Sequence, residues 1–85
     1  MILHVIRAEY VSGYRVHLWF NDSTDGEVDM SGALDGPIFE QLRDVNIFKR
    51  FRLEGHTLVW ENGADFAPEY LHDLVRAATV EETVR

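Results

Sequence analysis

The stretch YRVHLWF, residues 14–20, decides the fold. Tyr14, Val16, Leu18 and Phe20 alternate with Arg15, His17 and Trp19. A period of two marks a strand with one apolar side and one polar side. Turn-forming residues bound it, Val11-Ser12-Gly13 before and Asn21 to Gly26 after. Residues 2–10 and 25–30 read as the strands on either side. The chain therefore opens as an antiparallel three-stranded meander.

Register follows from the turns, because a slip of one residue moves a strand's whole apolar set to the other face. A three-residue loop ending in a left-handed Gly13 sets Ile6, Ala8 and Tyr10 beside Leu18, Val16 and Tyr14. It also sets Glu9 opposite Arg15. By the same parity, Val28 faces Leu18, Met30 faces Val16, and Asp29 lies opposite His17. Trp19 then falls on the outer side, with Val5 opposite and Leu3 diagonal to it.

The second half changes character. Gly36-Pro37 opens a short helix whose apolar residues are Ile38, Phe39 and Leu42, and Asn46 ends it. Residues 49–53 and 57–61 form a second hairpin. A type II′ turn at Gly55-His56 pairs Leu53 with Leu58, Phe51 with Trp60 and Arg50 with Glu61. Residues 66–78 form a closing helix with Phe66, Tyr70, Leu71, Leu74, Val75 and Ala78 on one stripe. The order β-β-β-α-β-β-α predicts a two-layer α+β fold, a mainly antiparallel sheet with helices on one face. Residues 1–78 make a single domain, and residues 79–85 form a tail expected to fray.

Composition narrows the function classes. A chain of 85 residues is one domain, of a size that buries roughly 60 % of its unfolded surface. There is no cysteine, hence no disulfide and no thiolate chemistry. No apolar run approaches a membrane span, and the alternating N-terminus is unlike a signal peptide, so a cytoplasmic location is expected. The net charge of −7 opposes non-specific nucleic-acid binding, which requires a cationic surface.

Five groups of residues are candidates for a functional role. Glu61, Asp65, Glu69 and His72 offer oxygen and imidazole ligands, but capping accounts for this segment more simply. Asp65 suits an N-cap, Pro68 the first turn, and Glu69 the positive end of the helix dipole. The loop at residues 21–26 echoes a calcium loop but has Gly32 where the bidentate acid belongs. A row of Arg7, His17 and Asp29 could exchange protons, yet no nucleophile accompanies it. No metal site, cofactor or catalytic set is expected. Arg43, Lys49, Arg50 and Arg52 form a basic cluster and are the candidates for nucleic-acid contact. Leu3, Val5 and Trp19, as an exposed apolar cluster, are the candidates for partner binding.

The residues Val16-x-Leu18-x-Phe20-x-Asp22, Glu27-Val28-Asp29-Met30, Phe48 and Leu58-x-Trp60-x-Asn62-Gly63-Ala64-Asp65-Phe66-Ala67-Pro68-Glu69-x-Leu71 resemble the small bacterial domain-of-unknown-function family 2442. The most specific part holds Trp60, Asn62, Gly63, Asp65, Pro68 and Glu69. Ser23 departs from the pattern, which commonly has Gly after the Asp. The resemblance implies a domain that occurs alone or fused to a helix-turn-helix, often encoded beside another small protein in a toxin–antitoxin-type arrangement. It implies no catalytic or ligand residues. Only residues 79–85 follow the last helix, too few for a helix-turn-helix.

The expectation is a non-enzymatic protein-interaction module of a bacterial regulatory or antitoxin-like pair. Its partner would be the product of a neighbouring gene or a second copy of the chain. The alternatives are a regulatory domain touching nucleic acid through the basic cluster, and a small-ligand or metal-binding domain.

Overall fold

A computed structural model describes the backbone of residues 2–83 and the side chains of residues 2–78. The strands are β1 (Val5–Ser12), β2 (Arg15–Phe20), β3 (Asp25–Asp29), β4 (Arg52–Glu54) and β5 (Thr57–Val59). Helices are α1 (Pro37–Glu40), α2 (Val45–Phe48) and α3 (Pro68–Thr83). The fold is α+β in the expected order, with β1-β2-β3 as one antiparallel sheet and β4-β5 as another. A hydrogen bond from the Val5 N–H to the His56 carbonyl, 2.9 Å, joins the second hairpin to β1.

The alternation of β2 is realised in full. Val16, Leu18 and Phe20 are buried, as are Val28 and Met30 from the neighbouring chain segment. Their common face packs with Leu42, Phe48, Leu58, Trp60, Leu71 and Val75 into the core. The pairing differs from the expected one by two residues. Ala8 faces Leu18, Tyr10 faces Val16, and Ser12 faces Arg15, so the turn is Gly13-Tyr14. Glu9 consequently lies opposite His17 instead of Arg15. The β1 ladder is irregular at Ile6 and at Val11. Each irregularity inserts an extra residue, and the one at Ile6 lets Val5 and Ala8, three apart, both point inward. Ile6, expected inside, is 57 % exposed.

On the other side, Val28 pairs with Val16 and Gly26 with Leu18. Asp29 lies opposite Arg15 instead of His17. The loop closes earlier than expected, with the Phe20 N–H bonded to the Thr24 carbonyl at 2.9 Å. That leaves three residues in the loop, and Ser23 takes the left-handed position at φ 72°. Such a loop normally puts Gly there.

The single helix expected before the second hairpin is broken. Asp44 is extended (φ −76°, ψ 113°) between a 3₁₀ turn, Gln41–Arg43, and α2. Its carboxylate accepts from the Asn46 N–H at 2.9 Å, capping α2. Asn46 thus starts a helical turn instead of ending one. The Gly55-His56 turn has positive φ at both residues, 59° and 71°, which is the type I′ pattern and corrects the expected II′. Leu53 still faces Leu58.

Asp65 does not cap α3. It forms an isolated bridge with Val59, and the Ala67 carbonyl accepts the first helical bonds, from Tyr70 and Leu71. Pro68 is the first helical residue and Glu69 lies in the first turn. α3 runs to Thr83, past the expected end at Ala78. Of the tail expected to fray, Val84 and Arg85 lie outside the described residues.

Candidate functional site

The expected outer cluster of Leu3, Val5 and Trp19 does not form. The irregularity at Ile6 turns Val5 inward against Phe20, where it is only 2 % exposed. Leu3 is half-buried and packs on the core. Trp19 does lie on the outer face, but its companions are polar. Arg7 stands opposite it, with the guanidinium carbon 4.7 Å from the ring centre. His17 stacks on the same indole at 4.1 Å. An Arg cation over an indole face is held by the ring's quadrupole. Period-two reading places Arg7 and Trp19 on one face, but only the irregular pairing sets them opposite each other.

Polar pairs lace the rest of this face: Arg7 and Arg15 form ion pairs with Glu9 and Glu27, and His17 Nε2 lies in hydrogen-bond contact with Asp25 Oδ2 at 2.7 Å. The row of Arg7, His17 and Asp29 expected for proton exchange is absent, because His17 meets Asp25 and Asp29 lies opposite Arg15. The Asp29 carboxylate accepts from the Ser31 N–H at 2.9 Å. That bond chiefly holds its pKa below the usual carboxylate value, with partial burial opposing it and Arg15 assisting.

The basic cluster is divided. Arg43 donates to the Leu34 carbonyl at 3.1 Å and pairs with Asp35 at 3.3 Å. Arg52 pairs with Glu54 at 3.2 Å. Lys49 and Arg50 are exposed and enter no ion pair among the described residues. The expected Arg50–Glu61 pair is not made.

The acidic segment is also dispersed. Among the described residues, no three His, Asp or Glu side chains converge as a metal ion would require. His72 leaves Glu69 and reaches Asp22 in the β2–β3 loop at 2.8 Å, while its ring meets the edge of Phe20. The Asp22 carboxyl lies below its ordinary pKa, chiefly because it accepts from the Thr24 N–H. His72 adds to the effect and burial opposes it. Nothing in the sequence spacing foretells this contact, since 50 residues separate the partners.

The signature residues have mainly architectural roles. The Trp60 indole N–H donates to the Phe48 carbonyl at 2.8 Å inside the core. Asn62 donates to the Ile38 carbonyl at 2.8 Å and to Gln41 Oε1 at 3.3 Å, and its own carbonyl accepts from the Ala64 N–H. Gly63 supplies φ 90°. The same segment borders a cleft of about 320 Å³ lined by Gln41, Ile47, Arg50, Trp60, Glu61 and Asn62. Gln41 and Ile47 were not foreseen as cleft residues. They come from the two helical turns that the break at Asp44 separates.

The model of a family of proteins of unknown function, DUF2442, matches residues 5–77 of the chain. No curated protein and no solved structure matches it.

Proposed function

The chain belongs to the domain-of-unknown-function family 2442, and from that premise we propose that it is a non-enzymatic protein-interaction module acting in the bacterial cytoplasm. The observation that carries this reading is the outer face of the three-stranded sheet, with Trp19 flanked by Arg7 and His17. Trp and Arg are the residue types most often found at the energetic centre of protein interfaces. Here they are already ordered against each other, which lowers the entropy lost on binding.

Charge favours a partner of another sequence over a second copy. The chain carries −7 overall. The face itself holds Glu9, Asp25, Glu27 and Asp29 against Arg7, Arg15 and His17. Two such faces repel, whereas a basic protein surface is attracted and steered to this one. A small basic protein encoded by the neighbouring gene, in an antitoxin-like or regulatory pair, meets that description. No helix among the described residues is long and apolar enough to cross a membrane.

Co-purification of the chain with its genetic neighbour tests the reading. Trp19→Ala is expected to weaken the complex by about 2 kcal/mol, roughly 30-fold, with an unchanged melting temperature. A complex indifferent to Trp19→Ala and Arg7→Ala would overturn it. Steeply salt-dependent binding to DNA or RNA, lost on removal of Lys49 and Arg50, would replace it with the nucleic-acid reading.

A further inference from the structure

The cleft beside Trp60 sets two opposite charges on one concavity without joining them. Arg50 follows the last turn of α2, and Glu61 follows β5. Both line the cleft, and neither enters an ion pair among the described residues. Arg7, Arg15, Arg43 and Arg52 each hold a carboxylate of their own. Arg50 is therefore a guanidinium left available, and Glu61 lines the same cleft.

The remaining lining is amphipathic. Ile47 is 38 % exposed and gives an apolar wall, while Trp60 is almost wholly buried beneath. Asn62 donates to Gln41 Oε1, which fixes that amide and leaves its NH₂ group free to donate into the cleft. At about 320 Å³, the volume sits at the lower bound for small-molecule sites, roughly 300–1,000 Å³.

We propose that this cleft binds a small zwitterion of the free amino acid or dipeptide class. The guanidinium of Arg50 takes the carboxylate in a forked pair. Glu61 takes the ammonium group, Gln41 donates a further hydrogen bond, and Ile47 packs on the apolar side chain. Binding here stands independently of any partner on the sheet face.

The test is an NMR titration of the full chain with leucine and leucylglycine as probes, beside leucinamide and N-acetylleucine, each lacking one charge. Saturable shifts are expected at the Trp60 indole N–H and the Gln41 amide. Both singly charged analogues should bind at least about tenfold more weakly, since each loses the charge-assisted hydrogen bonding of one end. Arg50→Gln and Glu61→Gln, both exposed, should each weaken leucylglycine binding about tenfold while the melting temperature holds. No saturable shift with either zwitterion, equal binding of the singly charged analogues, or affinity retained in both variants would overturn the proposal.

Discussion

At the scale of single residues, Ser23 and Asn62 are local decisions with opposite signs. Ser23 occupies a left-handed conformation at φ 72°, which costs an L-residue roughly 1–2 kcal/mol. The loop tolerates this because Asp22 Oδ1 accepts from the Thr24 N–H at 3.0 Å, spanning the strained residue. Replacing Ser23 with Gly removes the strain but frees the unfolded chain. Ser23→Gly should therefore gain a net of about 0.5–1 kcal/mol in urea unfolding. An unchanged midpoint would show that the strain is relaxed in solution. Asn62 works the other way. Its side chain joins the turn after β5 to α1 through the Ile38 carbonyl and satisfies the Ala64 N–H. Asn62→Ala leaves these groups unpaired and should destabilise by about 2 kcal/mol in the same experiment. Preserved stability would mean that water replaces the amide without loss.

At the scale of elements, the contact between β3 and α3 depends on Gly26. A Cβ at this position would lie 2.9 Å from Val75 Cγ1, closer than two carbons approach without displacement. Val75 is 1 % exposed, so it has little space to yield. Gly26→Ala should cost about 1–3 kcal/mol by overpacking. The double variant with Val75→Ala should then lose less than the sum of the single losses, which a double-mutant cycle measures. Strict additivity would place the cost elsewhere than in this contact. A second dependence lies at Asp44, whose carboxylate caps α2. Asp44→Ala should cost about 1 kcal/mol, and full stability in thermal unfolding would show that the cap is dispensable.

At the scale of the whole molecule, the sequence was legible where side-chain period alone decides. The inward faces of β2 and β3, the order of elements and the buried Leu71 and Val75 of α3 follow from side-chain period, whereas Phe66, expected on the same helical stripe, precedes the helix and Tyr70 is 43 % exposed. Register was not legible. It depends on extra residues at Ile6 and Val11 and on a left-handed Ser23, conformations that residue type does not announce. The candidate sites inherited those errors, since one inserted residue carried Val5 from the outer face to the core. Contacts made across the chain, such as His72 with Asp22, had no local signal at all. That contact also enters the molecule's response to acid. The folded pKa values of Asp22 and Asp29 lie below their unfolded values, mainly because backbone N–H groups of Thr24 and Ser31 bond to the charged forms. A depressed carboxylate contributes stability that is complete above its unfolded pKa, about 3.9, and is lost as pH falls through the folded value. The contribution should therefore persist at neutral pH and fade below about pH 4. Asp22→Asn and Asp29→Asn keep a carbonyl that accepts the same backbone bond but remove the charge. Their stability deficit relative to the parent chain should be constant near neutrality and should shrink as the parent's carboxylates become protonated. Urea unfolding at a series of pH values reads the gap directly. A gap that stays constant into strong acid would mean that charge at these two turns does not contribute to holding the sheet, its loop and α3 together.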